Sequence, residues 1–393
     1  MELRQWTTRM PWSIVAVSLV LVAVGFAGIA RAEELAELNG RGLVRQGMWA
    51  ALALAAMAAV TVVSYRAIGR WSYAALAVSI VLLAAVFYFP PINGARRWIP
   101  LGPANLQPSE IAKVAFILAL ARWLMYRENL RQLPALFVPL VLCLTPMLLI
   151  LKEPDLGTAL VFPPVLLAML LAAGVRVRDL ACVLLAALML VPVLWSQMNR
   201  EQRSRVTALW EPTTAGTRPS DDAWQLYQSK QMHALGGWTG SYFTGDAVDD
   251  PFVYQLPAAK TDFIFSVIGE RFGLLGTGGV LLAYALLTWR GLAVAAATRE
   301  PFGRLVAVGF TALVAVQALI NTSMTIGLAP VTGLALPLVS YGGSSLVSTA
   351  LALGFVLNVG LRPGYEVTGG PFRFGEDPSP GKGVKTISSG RTS

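Results

Sequence analysis

Histidine is almost missing from this chain. His233 is the single one in 393 residues, which rules out a multi-histidine metal site by count. With no obvious partner in the sequence, His233 reads as a surface residue. Cysteine is nearly as scarce. Cys143 and Cys182 both fall inside apolar runs, so there is no disulfide framework and no metal-ligand spacing. Charge is thin too: 13% of residues are charged, against roughly 25% in soluble domains. The chemistry is left to a few carboxylates, lysines and arginines.

Apolar residues are abundant, at 55%, with a mean hydropathy of +0.60. Most of the chain is therefore solvated by lipid, and it reads as an all-α integral membrane protein. The net charge of +9 does not point to nucleic acid, because the basic residues are spread over short loops between apolar runs. Spans of about 20 residues predict ten transmembrane helices, near 12–30, 46–64, 72–90, 109–125, 134–151, 157–174, 178–197, 263–289, 303–323 and 344–361. Ala30-Arg31-Ala32 resembles a signal-peptidase site, but the preceding apolar run is too long for one, so the segment is kept as a span. The basic short loops place both termini in the cytoplasm. One long extracytoplasmic loop, 198–262, then lies outside, and residues 1–362 form a single membrane domain. The tail, 363–393, is rich in Gly, Pro and Ser and is expected to be disordered.

The unusual residues crowd the outer loops. Asp262 is the last charge before the eighth apolar run. Two readings fit it: a cap on the following helix, or a partly desolvated base. Arg96 and Arg97 precede Trp98, as an interfacial anchor or as a phosphate clamp. Glu110 and Lys113 are i,i+3 at a helix start and share a face. A helix carrying them should meet protein or a polar cavity. Lys152-Glu153-Pro154-Asp155-Leu156-Gly157-Thr158 is an acid-rich hairpin turn in which Asp155 and Thr158 are candidate caps. Two carboxylates are too few to argue a bound cation.

The loop 198–262 is too long to be idle. It carries Arg203 and Arg205, an amphipathic piece at Trp224–Ser229 suited to the headgroups, and a Gly-rich turn at 236–240. Glu270 and Arg271 form a candidate buried pair two turns into the eighth run, and Gln317 and Asn321 are expected to hydrogen-bond across helices. Leu336–Ser345 is a polar, Gly-rich stretch at the outer boundary, tolerable only where protein or a wet cavity surrounds it.

In series, these pieces resemble the SEDS family, whose best-known members are RodA and FtsW. The matching stretches are Gly94–Ile99, Gln107–Lys113, Pro154–Ala159, Arg203–Pro212 with Gln225–Ser229, Leu256–Gly273 and Pro330–Ser345. Phe116–Trp123 and Ala112-Lys113 look closer to RodA. The resemblance implies a ten-span fold and a peptidoglycan glycosyltransferase that polymerises lipid II, a disaccharide-peptide on undecaprenyl pyrophosphate. It implies Asp262 as the catalytic aspartate and a class B penicillin-binding protein as partner. Arg96, Arg97, Glu110, Lys113, Lys152, Arg203, Arg205 and Ser344 are then the candidates for the sugar and pyrophosphate. No cofactor is certain, and a divalent cation is an open option. A lipid II flippase and a non-catalytic scaffold for a partner synthase are the rival functions. The chain departs from the family at 258–260. Ala258 and Lys260 stand where Glu and His are usual, and Lys260 is expected to lower the pKa of Asp262.

Overall fold

The structure is a computed structural model that describes residues 8–36, 40–91, 95–100, 102, 105–126, 133–211, 221–245 and 256–364. The expected disordered tail beyond 364 and the Asn93-Gly94 turn lie outside the described residues. Each of the ten apolar runs carries a helix: α1 Trp12–Leu35, α2 Arg41–Val62, α3 Ser72–Ala85, α4 Pro108–Leu124, α5 Phe137–Lys152, α6 Leu156–Ala172, α7 Val177–Gln197, α8 Ile264–Ala297, α9 Pro301–Thr325 and α10 Gly343–Leu361. Six of them (α1, α2, α5, α8, α9 and α10) are long and apolar enough to cross a membrane, while α3 and α6 are shorter apolar helices. The protein is a multi-pass membrane protein.

α4 is buried on nearly every side, which explains how it tolerates charge. Glu110 and Lys113 close on each other at 2.9 Å, with Lys113 only 2% exposed. At its other end Arg122 donates to the Gly69 carbonyl. The polar face of α4 thus meets protein. α9 and α10 pack on α4, α2 lies along α10, and α8 packs between α1 and α9. Away from the candidate site, Glu300 at the start of α9 accepts from Arg66 at 2.7 Å and from the Tyr65 hydroxyl.

The described parts of the connection 198–262 hold more helix than the sequence suggests. It contains helices at Arg200–Thr207, Asp221–Gly236 and Ser241–Thr244. The first opens with a capping box between Asn199 and Gln202, whose mutual bonds satisfy two free donors. The Trp224–Ser229 piece is the middle of a longer helix, and it is not simply laid in the headgroups. Ser229 is fully buried and bonds Ser266 of α8 at 2.6 Å and the Thr325 carbonyl of α9 at 2.7 Å.

The eighth span is two helical pieces. At Gly273 the backbone takes φ 63° and ψ −160°, which only glycine adopts easily. A Cβ there would sit 2.6 Å from the amides of Gly240 and Thr239. The turn at 236–240 covers the break, and its carbonyls at Gly237 and Trp238 accept from Leu274 and Leu275 at 2.9 and 3.2 Å. The restarted helix therefore opens with bonded amides. The Glu270–Arg271 pair expected here does not form. Glu270 turns to Arg31 of α1, with bonds of 3.1 and 2.8 Å, and Arg271 lies over the Tyr242 ring.

Candidate active site

Asp262 sits in a run of turns, 257–263, just before α8. The helix N-cap is Phe263, without a side-chain cap, so the capping reading of Asp262 is not realised. The chain around it is clasped by the irregular segment between α9 and α10. The Asn321 amide donates to the Asp262 carbonyl at 2.7 Å and to the Leu334 carbonyl at 2.6 Å. Ser340 Oγ accepts from the Leu336 amide at 2.8 Å and donates to the Thr261 carbonyl. The Tyr341 amide donates to the Lys260 carbonyl at 2.8 Å. Leu338, at φ 66°, makes the tight bend that brings these donors together. The Gly-rich stretch is thus irregular backbone buried in protein, as expected of it.

Three further elements bring charge to this acid. Arg205 comes from the Arg200–Thr207 helix. One guanidinium nitrogen bonds Glu201 at 2.8 Å, while its Nε and Nη1 are buried with no partner. Unsatisfied buried donors are costly unless something occupies them. A Cβ on Gly333 would lie 3.5 Å from both Arg205 Nη1 and Asp262 Oδ2. The α5–α6 hairpin supplies the second group. Asp155 caps α6, accepting from the Thr158 amide at 3.2 Å and its hydroxyl at 2.9 Å. Arg97 completes the wall: it holds the Glu153 and Pro154 carbonyls and reaches Asp155 at 4.0 Å.

The environment sets the proton affinity of Asp262. Burial raises its pKa to about 6, opposed first by the Arg205 guanidinium. Asp155 adds to the rise, and Arg97 and a hydrogen bond from Thr261 subtract from it. Lys260 was expected to lower it. Instead the Lys260 ammonium lies over the Tyr341 ring, 5.0 Å from the centroid, and the shift is upward. A half-buried carboxylate poised near 6 is a competent general base at neutral pH.

The other candidates make their contacts elsewhere. Arg96 donates to the Phe87 carbonyl, so the expected two-arginine clamp is split. Arg203 bonds the Ser196 carbonyl and lies over Trp195, in the manner of an interfacial anchor. Lys152 is exposed at the end of α5. Glu110 and Lys113 satisfy each other, and Ser344 ties the start of α10 to the Asn105 carbonyl. His233 is half-buried against Phe265, not on the surface, and burial lowers its pKa to about 4.

Glu153 was not singled out from the sequence. It is 0% exposed, both its oxygens lack partners, and burial with the nearby Asp155 charge raises its pKa to about 8. Gly333 was missed as well. Its signal, an isolated glycine in a loop, is too common to read alone.

A helical membrane bundle that sets one poised acid against buried guanidinium donors at one end has the build of a polytopic membrane enzyme. The chain belongs to the SEDS family: the FtsW, RodA and SpoVE group, described as cell cycle protein, matches residues 8–362. It is 37% identical to the "probable peptidoglycan glycosyltransferase FtsW" of Geobacter sulfurreducens, over 81% of this chain and 85% of that one. It is 36% identical to the peptidoglycan glycosyltransferase MrdB of Escherichia coli K12, over 79% and 83%. These identities do not separate the two branches. Among solved structures it is similar to a chain from a peptidoglycan synthase complex that coordinates polymerization and crosslinking, with TM-score 0.76, 33% identity and coverage of 89% and 97%. It is also similar to the rod shape determining protein RodA of Thermus thermophilus, with TM-score 0.67, 31% identity and coverage of 90% and 98%.

Proposed function

We propose how this peptidoglycan glycosyltransferase works. Its substrate is lipid II, and it lengthens a glycan strand at the outer face of the cytoplasmic membrane, with both termini inside. The acceptor sugar hydroxyl gives its proton to Asp262 as its oxygen attacks the anomeric carbon of the donor. The bond from that carbon to the diphosphate breaks, and configuration inverts. Base catalysis of this kind contributes about 10²–10⁴-fold. The departing diphosphate needs positive charge fixed in place beforehand. Arg205 supplies it through Nε and Nη1, and Arg97, anchored on the 153–155 turn, adds to it.

The observation that carries this reading is the pairing of a base poised near 6 with unpartnered guanidinium donors across Gly333. In this reading arginine, rather than a protein-held divalent ion, supplies the positive charge. Among the described residues no group of three or more His, Cys, Asp or Glu side chains is arranged to bind one, and Arg97 already occupies the acidic turn. No step is routed through such an ion. The partner is a class B penicillin-binding protein, in keeping with the crosslinking complex that the fold resembles. The test is polymerisation of lipid II by purified protein. Wild type should form polymer and Asp262→Ala should not; equal polymer from both would end the assignment of Asp262, and no polymer from either would favour a scaffold.

A further inference from the structure

The break at Gly273 leaves residues 264–272 as a short helical piece with Asp262 just ahead of it and Glu270 near its end. The long half of α8 cannot hold this piece in register, because helical hydrogen bonding is interrupted between them. Its position depends on side contacts. Toward the Asp221–Gly236 helix these are Ser266 with Ser229 and Phe265 with His233, and from α9 Asn321 holds the Asp262 carbonyl. Toward α1 they come from two residues three apart and so on one face of that helix, Gly28 and Arg31. A Cβ on Gly28 would come within 3.1 Å of Ile264 and 3.2 Å of Ile268, so α1 and the short piece are in close contact. One turn on, Arg31 grips both oxygens of Glu270, at 3.1 and 2.8 Å. Glu270 is 1% exposed, and Arg31 also reaches Glu34 at 3.1 Å. A two-pronged guanidinium–carboxylate bond fixes orientation as well as distance.

We propose that the Arg31–Glu270 pair is a positioning element for glycosyl transfer: it sets the register of the 264–272 piece on α1 and, through it, the place of the Asp262 carboxylate opposite Arg205. This rests on Asp262 being the base. Neither member of the pair touches substrate. Both act by holding Asp262 at a set distance from Arg205, Arg97 and Asp155, the charges that tune it. A misplaced base loses catalysis steeply, because small displacements carry large rate penalties.

The experiment uses the full-length purified protein and lipid II, with kcat and KM measured between pH 5 and 8 and thermal unfolding as a check on the fold. Two variants are compared with wild type and with Asp262→Ala. Glu270→Gln removes the charge. Arg31→Lys keeps the charge but loses the fork. The expected result is a fall in kcat of about tenfold or more in each folded variant, with KM changed less than threefold and the acid limb displaced by at least half a pH unit. Lost packing alone would lower the unfolding temperature and leave the limb in place. If Glu270→Gln does not fold, Arg31→Lys decides. A folded variant with wild-type kcat and acid limb, beside an inactive Asp262→Ala, overturns the inference and leaves the base assignment intact. Full activity in Asp262→Ala overturns both.

Discussion

Asp262 and Arg205 face each other across Gly333, whose missing side chain leaves room 3.5 Å from the carboxylate Oδ2 and 3.5 Å from the guanidinium Nη1. A methyl at this glycine would fill that room, in ordinary van der Waals contact with both groups. It would also force an L-residue to φ 69°, a strain of about 1–2 kcal/mol. Gly333→Ala should therefore lower lipid II turnover by roughly tenfold or more, taking 1.4 kcal/mol per decade. Steady-state kinetics alongside thermal unfolding will separate the two effects. Full turnover with an unchanged melting curve would mean that the gap has no role.

The base must be ionised to work, so activity should rise with pH through the pKa of Asp262, near 6 in the free protein. Arg205 is the strongest influence lowering that pKa. Arg205→Met should move the acid limb of kcat/KM to higher pH. It should also reduce the plateau by about 10²–10³-fold, the usual loss when a fixed donor to developing charge is removed. A limb that stayed put would show that Arg205 does not sense the titrating group.

Arg96 and Arg97 are adjacent in sequence and unequal in place. Arg97→Ala removes the bonds that fasten the 153–155 turn and the positive charge beside Asp155. Arg96→Ala removes one exposed bond to Phe87. Polymerisation should fall at least ~30-fold in the first, about 2 kcal/mol, and less than about threefold in the second. Equal losses would point back to a shared phosphate clamp.

Glu153 bears on stability. Its folded pKa, about 8, lies above its unfolded one, so the folded state holds a proton that the unfolded state releases. Its stabilising contribution is complete below the unfolded pKa and is lost as pH rises through 8. Glu153→Gln, uncharged throughout, should lose less. Its melting temperature in detergent should gain on wild type between pH 5 and 8, by an amount corresponding to about 1–3 kcal/mol after relaxation of the site. A gap that is constant with pH would mean that Glu153 ionises freely.

The helices were legible because lipid imposes one simple rule: a long apolar run must satisfy its own backbone. That rule says nothing of the polar connection, so the helix at Asp221–Gly236 showed only its aromatic middle. Asp262 stood out because it is the last charge before lipid. Arg205 was a candidate among several cations, and nothing local marked its free donors. The Glu270 partner was misjudged for a similar reason. Arg271 is its neighbour, but Arg31 is 239 positions away, and only packing of α1 on α8 joins them. The split of Arg96 from Arg97 likewise follows from the fold of the loop, which turns adjacent side chains to different carbonyls.

The discontinuity in α8 also separates two duties. Residues 274–297 would span about 36 Å as a straight helix, more than the ~30 Å apolar thickness of a bilayer. Such a helix meets changes in thickness by leaning over. At Gly273 the chain bends without losing bonded amides, so the lean of the long half need not be passed on to the short one. A wall-building enzyme with this break is expected to keep its acid aligned while the membrane around it changes thickness.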